Sequence, residues 1–147
     1  MSQEITFADH GRALLRREPV IFHCNHFNYW LQNTLLLDAS LGMADVIRAA
    51  AADVGRSVMV GVDGTPTERL AAASEVFRQL GFGRMSFAGL GEGGGEVHTP
   101  TSHYGQLLKP PGSFERPQNL FDQGFAQGVA ASVFGQPYEI ASNACHS

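Results

Sequence analysis

The sequence predicts an α+β domain, and three observations carry that prediction. Apolar residues recur at three- and four-residue spacing over residues 27–41, 43–54 and 119–134, the pattern of helices with one buried face. From Arg84 the period falls to two, with Met85 and Phe87 alternating with polar neighbours. The glycines from Gly91 to Gly95 interrupt that alternation before Glu96 to Ser102 resume it, which reads as a hairpin. A chain of 147 residues is long enough to bury one core, so a single domain over residues 1–147 is expected.

Taken in order, residues 1–19 are polar and read as an N-terminal extension ending at Glu18-Pro19. Val20-Ile21-Phe22 is a short run of strand type, and His23-Cys24-Asn25-His26 follows at a strand-to-helix corner. The first helix carries Phe27, Trp30, Leu31, Thr34, Leu35, Asp38 and Leu41 on one face, with Asn25 or Asn28 as cap and Gly42 as its end. The second is expected over residues 43–54, with Ala44, Ile47, Ala50, Ala51 and Val54 facing inward and Gly55 closing it. Small alanines there allow close helix approach. Residues 57–62 read as a short strand or extended link, and Asp63-Gly64 as a turn.

Thr65, Pro66 and Glu68 predict the start of a third helix as a capping box with proline at the first helical position. It reaches Leu80 and is broken by Gly81-Phe82-Gly83. The glycine turn after the first hairpin strand lacks the lysine and following helix of a phosphate-binding loop. Pro110, Pro111, Gly112 and Pro117 mark residues 105–118 as a loop, a lid over a site. Asn119 caps a last helix through Phe134, with Phe121, Phe125, Val129, Val133 and Phe134 apolar. Gly124 and Gly128, four residues apart, predict close packing of that helix against a neighbour. Gly135-Gln136-Pro137 ends it, and residues 138–145 read as a final strand.

Composition excludes several classes of function. A net charge of −4 argues against a surface that neutralises phosphates, so nucleic acid is not an expected partner. No stretch approaches the roughly 20 apolar residues that span a bilayer, and the N-terminus lacks a signal-peptide core. Cytoplasmic residence is the expectation, with no membrane partner. Two cysteines, Cys24 and Cys145, do not make a disulfide framework. Only 16% of residues are charged, against roughly 25% in soluble domains, which predicts that part of the surface is covered, as in a homodimer.

Residues 77–90, FRQLGFGRMSFAGL, then a glycine turn, a strand, and NLFDQGFAQGVAASVFGQPYEIASNAC over residues 119–145 resemble the 4-vinyl reductase domain family. That family comprises small-molecule or hydrocarbon-binding modules. The resemblance implies a mixed, mostly antiparallel sheet with helices packed on one side, shared with vesicle-tethering complex subunits, and dimerisation through helices. In its zinc-containing sensor branch the cysteine matching Cys145 is joined by later cysteines. This chain carries none after Cys145.

Three readings compete for the polar residues. Cys24 is a small core residue and the histidines are satisfied by hydrogen bonds in the first. In the second, Cys24 before a helix N-terminus is a nucleophile, His103 holds or removes its proton, and Asn25 or Asn28 supplies an oxyanion donor, for acyl transfer or hydrolysis. In the third, His23, His26 and His98, with Cys24 or His103, hold zinc or another transition metal. Phe27, Asn28, Trp30, Phe82, Phe87, Tyr104 and Phe125 are the expected lining of an apolar site, the aromatics being core residues in the alternative, while Arg84 near its mouth and Lys109 in the proline loop either meet an anionic group or are solvated charges. The leading expectation is binding of a small apolar or aromatic molecule between helices and sheet. A cysteine- or metal-dependent enzyme and a dimeric interaction subunit are the alternatives.

Overall fold

A computed structural model describes residues 5–8, 11–15, 18–20, 25–36, 38–103 and 119–141. The chain is α+β, as expected: four α-helices and a short 3-10 helix, Ala39–Leu41, accompany two antiparallel sheets among the described residues. In order these are β1 Ile5–Phe7, β2 Ala13–Leu15, β3 Glu18–Val20, α1 Asn25–Leu36, α2 Met43–Ser57, α3 Pro66–Gln79, β4 Gly83–Gly91, β5 Gly94–Ser102 and α4 Leu120–Phe134.

The expected polar extension is instead a three-stranded meander. Ile5 pairs with Leu15 and Ala13 with Val20. Pro19 lies in the edge strand β3, where a residue without an N–H is tolerated. Three-residue strands are too short to show alternation, which is why the sequence hid them. Among the described residues the β4–β5 hairpin forms a sheet of its own beside the β1–β3 meander, and both sheets are antiparallel.

Two other expectations change. Gly55 does not close α2, which continues to Ser57, and residues 58–61 form successive turns rather than a strand or extended link. Left-handed Gly61, at φ 69°, belongs to that turn, and Met59 is thrust into the core at 4% exposure. The apolar face of α1 faces outward in large part: Phe27, Trp30 and Leu31 are 50%, 65% and 46% exposed, while Gln32 is buried. Helical spacing identifies a face but not what covers it. The expected capping box does form: Glu68 N–H donates to Thr65 Oγ1, and Thr65 N–H donates to Glu68 Oε2 at 2.8 Å.

The core rests on α2 packed against α4 at backbone contact. A Cβ on Gly124 would lie 2.2 Å from the Arg48 carbonyl oxygen, and one on Gly128 2.0 Å from that of Ala52. Gly55 answers from the other helix, 2.3 Å from the carbonyl oxygen of Phe125. Predicted close approach is thus explained by three glycines, with Ala51 and Ala52 between them. Arg69 of α3 ties in the far end of α4, donating to the carbonyls of Ser132 and Val133 at 2.9 and 3.2 Å, where helix carbonyls lack intrahelical partners. Leu70, Ala73 and Phe77 of α3 then meet Met85 and Phe87 of β4 and Phe125 and Val129 of α4 in one core.

Candidate functional site

The open end of the hairpin and the start of α4 bring polar and aromatic groups together. Gly83 pairs with Ser102 across the hairpin, and its φ of 111° and a would-be Cβ 2.0 Å from the Thr101 carbonyl oxygen admit only glycine. This close pairing lets the His103 N–H donate to the Phe82 carbonyl at 2.8 Å. Phe82 in turn stacks obliquely on Phe121 of α4, with ring centroids 4.5 Å apart. The next residue, Asp122, is only 4% exposed.

Asn119 stands at the N-cap position of α4 but its side chain does not cap the helix backbone. Its Nδ2 donates to Asp122 Oδ2 at 2.6 Å instead. Burial pushes the Asp122 carboxyl up to about 6, against the pull of the facing Ser102 hydroxyl and the Asn119 amide, which lower it. Desolvation wins because both opposing groups are neutral. Asp122 Oδ1 and Asn119 Oδ1 are buried with no hydrogen-bond partner among the described residues. Burial also lowers the pKa of His103, favouring a neutral imidazole at neutral pH.

Of the residues singled out from sequence, Phe82 and His103 meet at this corner. Phe125 lies deeper, fully buried, its ring 5.1 Å from Phe77, which also contacts Phe82 at 5.5 Å. Phe87 is buried in the core with Phe77 and Met85. Phe27 and Trp30 stand on the outer part of α1. His98 is exposed on β5, its Nε2 3.3 Å from a Glu96 carboxylate oxygen. His23, Cys24 and Tyr104 lie outside the described residues, as do Lys109 and Cys145 and the side chains of Asn25, His26 and Asn28. Among the described residues no three His, Cys, Asp or Glu side chains converge as metal ligands.

Sequence reasoning missed Ser102, Asn119 as a side-chain partner, and Asp122. Only one signal was available: an aspartate in the first turn of a helix that is otherwise apolar on nearly every side. First-turn aspartates favour a helix by charge alone, so the signal does not separate the two roles.

A shallow cavity of about 330 Å³, open to solvent, lies on another face, between α3 and β4–β5. Ala71, Met85 and Pro100 provide apolar surface, Ser74 and Ser86 hydroxyls, and Glu75, Arg78 and Arg84 charge. Arg78 is held by Glu75 through bonds of 2.6 and 2.8 Å. Arg84 forms no ion pair among the described residues.

Comparison with protein-family models, curated proteins and solved structures returns no match to the chain. Among the described residues, no helix is long and apolar enough to cross a membrane.

Proposed function

We propose that the chain binds a small, largely apolar or aromatic molecule in the cavity between α3 and the β4–β5 hairpin. One observation carries the reading: a helix–sheet cavity of about 330 Å³ with apolar surface from Ala71, Met85 and Pro100. Ligand pockets are concave, mostly apolar and commonly about 300–1,000 Å³. The resemblance of residues 77–145 to hydrocarbon-binding modules supports the same class of ligand. Arg84 at the cavity gives an anionic substituent a place to dock.

The test is titration with 2-naphthoate, followed by backbone amide NMR. Shifts centred on Ala71, Ser74, Met85 and Ser86 are expected, and Ala71→Phe, which fills the cavity from the exposed face of α3, is expected to abolish them. Shifts absent from these residues, or unchanged in Ala71→Phe, overturn the proposal.

A second reading, a small enzyme with His103 as proton acceptor and Cys24 as nucleophile, draws on the burial that favours neutral His103. It predicts that a thiol-selective alkylator labels Cys24 faster than Cys145, and that His103→Gln slows that labelling. Equal labelling rates would remove it.

A further inference from the structure

We propose that Asp122 and Asn119 form a second binding site, for the amino group of a small amine with an apolar body. The carboxylate is more than nine-tenths buried, at 4% exposure, yet one of its oxygens accepts no hydrogen bond from any described residue. Asn119, itself half-buried, has its amide nitrogen committed to Asp122 Oδ2 and its own Oδ1 buried without a donor among the described residues. Two acceptors joined by one 2.6 Å hydrogen bond therefore face a shortage of donors at the same place. Leaving a buried acceptor unmade costs about 1–3 kcal/mol, more for a charged one, so such a pair favours any partner rich in N–H.

Charge selects among donors. Among the described residues the carboxylate is hydrogen-bonded by the Ser102 hydroxyl from the end of β5 and the Asn119 amide from the start of α4, both neutral, and no ion pair to Asp122 occurs. An ammonium brings three donors, no acceptor and the missing positive charge, whereas an alcohol brings one donor and further oxygen lone pairs. The apolar body follows from the neighbours. Phe121 precedes Asp122 in the chain and its ring pairs with that of Phe82 at 4.5 Å, and a cation is attracted to aromatic faces of this kind. This site shares no residue with the lining of the α3–hairpin cavity.

The test uses the full chain, with benzylamine as probe and benzyl alcohol as its uncharged counterpart, and reads the ¹³C shift of the Asp122 carboxyl during pH titration. Benzylamine is expected to lower the Asp122 pKa and to bind at least about tenfold more tightly than benzyl alcohol near neutral pH, since bonds to charged groups exceed neutral ones. Asp122→Asn is expected to erase that preference while the 2-naphthoate response at Ala71 and Met85 persists. An Asp122 titration unmoved by benzylamine, equal binding of the two probes, or a preference retained in Asp122→Asn would each overturn the proposal. The carboxyl titration is made on the unaltered chain, so it holds whether or not the variant folds.

Discussion

Gly128→Ala distinguishes close helix packing from ordinary helix propensity by the sign of its effect. In a helix that merely needed to be helical, alanine would be better than glycine by about 0.8–1.0 kcal/mol. In α4 the added methyl would lie 2.0 Å from the carbonyl oxygen of Ala52, 2.8 Å from its carbon and 3.0 Å from its Cα. Ordinary contact begins at 3.4 Å, and all three obstacles are backbone atoms of α2, which cannot swing aside as a side chain can. The helices must separate by more than about an ångström, loosening the contacts of Ala51, Ala52, Phe125 and Val129 together. Overpacking of this kind costs about 1–3 kcal/mol and occasionally more, and an obstacle on rigid backbone belongs at the upper end. After the propensity gain, a net loss of about 2 kcal/mol is expected, or a fall in Tm of roughly 4–8 °C for a domain of this size. Urea unfolding monitored by circular dichroism measures it, with Gly93→Ala as control, since nothing lies within 4 Å of that position. A Gly128→Ala protein as stable as the parent, or more so, would refute the packing argument. Gly55→Ala should lose stability for the same reason, and the double variant should lose less than the sum, because one separation relieves both clashes.

Other perturbations test other parts of the structure. Phe77→Ala empties a fully buried site between Phe82 and Phe125 and is expected to cost about 3–5 kcal/mol by urea unfolding. The Asp122 carboxyl binds its proton more tightly in the folded chain, at about 6 against an ordinary 3.8, so its contribution to stability falls as pH rises between these values. Asp122→Asn should therefore be more stable than the parent by roughly 2–3 kcal/mol near neutral pH, a difference that vanishes below about pH 4. A difference independent of pH would contradict the desolvation argument. Thr65→Ala removes the hydroxyl that accepts from Glu68 N–H and should cost about 1 kcal/mol, read by the same unfolding experiment.

The elements legible beforehand are those whose signal is local. The capping box at Thr65 to Glu68, the alternation at Met85 and Phe87, and the glycine spacing in α4 each report on contacts made within a few residues or on one helix face. The N-terminal meander was illegible because its strands hold three residues each. Likewise, Gly55 has the same sequence signature as a helix stop and as a packing notch, and only the carbonyl oxygen of Phe125, 2.3 Å from its would-be Cβ, separates the two. Of the candidate site, Phe82 and His103 were visible as an aromatic and a titratable residue near a hairpin end. Asp122 was not, because its chemistry arises from burial.

By itself the sequence determined the α+β class, the third helix with its cap, the hairpin, and the need for α4 to lie close to another helix. Tertiary structure alone decided that the partner is α2, that Phe27, Trp30 and Leu31 of α1 keep much of their surface exposed, and that Ser102, Asn119 and Asp122 meet. The physical reason is that hydrogen bonding and periodicity act over a few residues and leave a trace in local order. Desolvation and steric fit depend on which distant atoms are brought alongside, and no short stretch of chain records that.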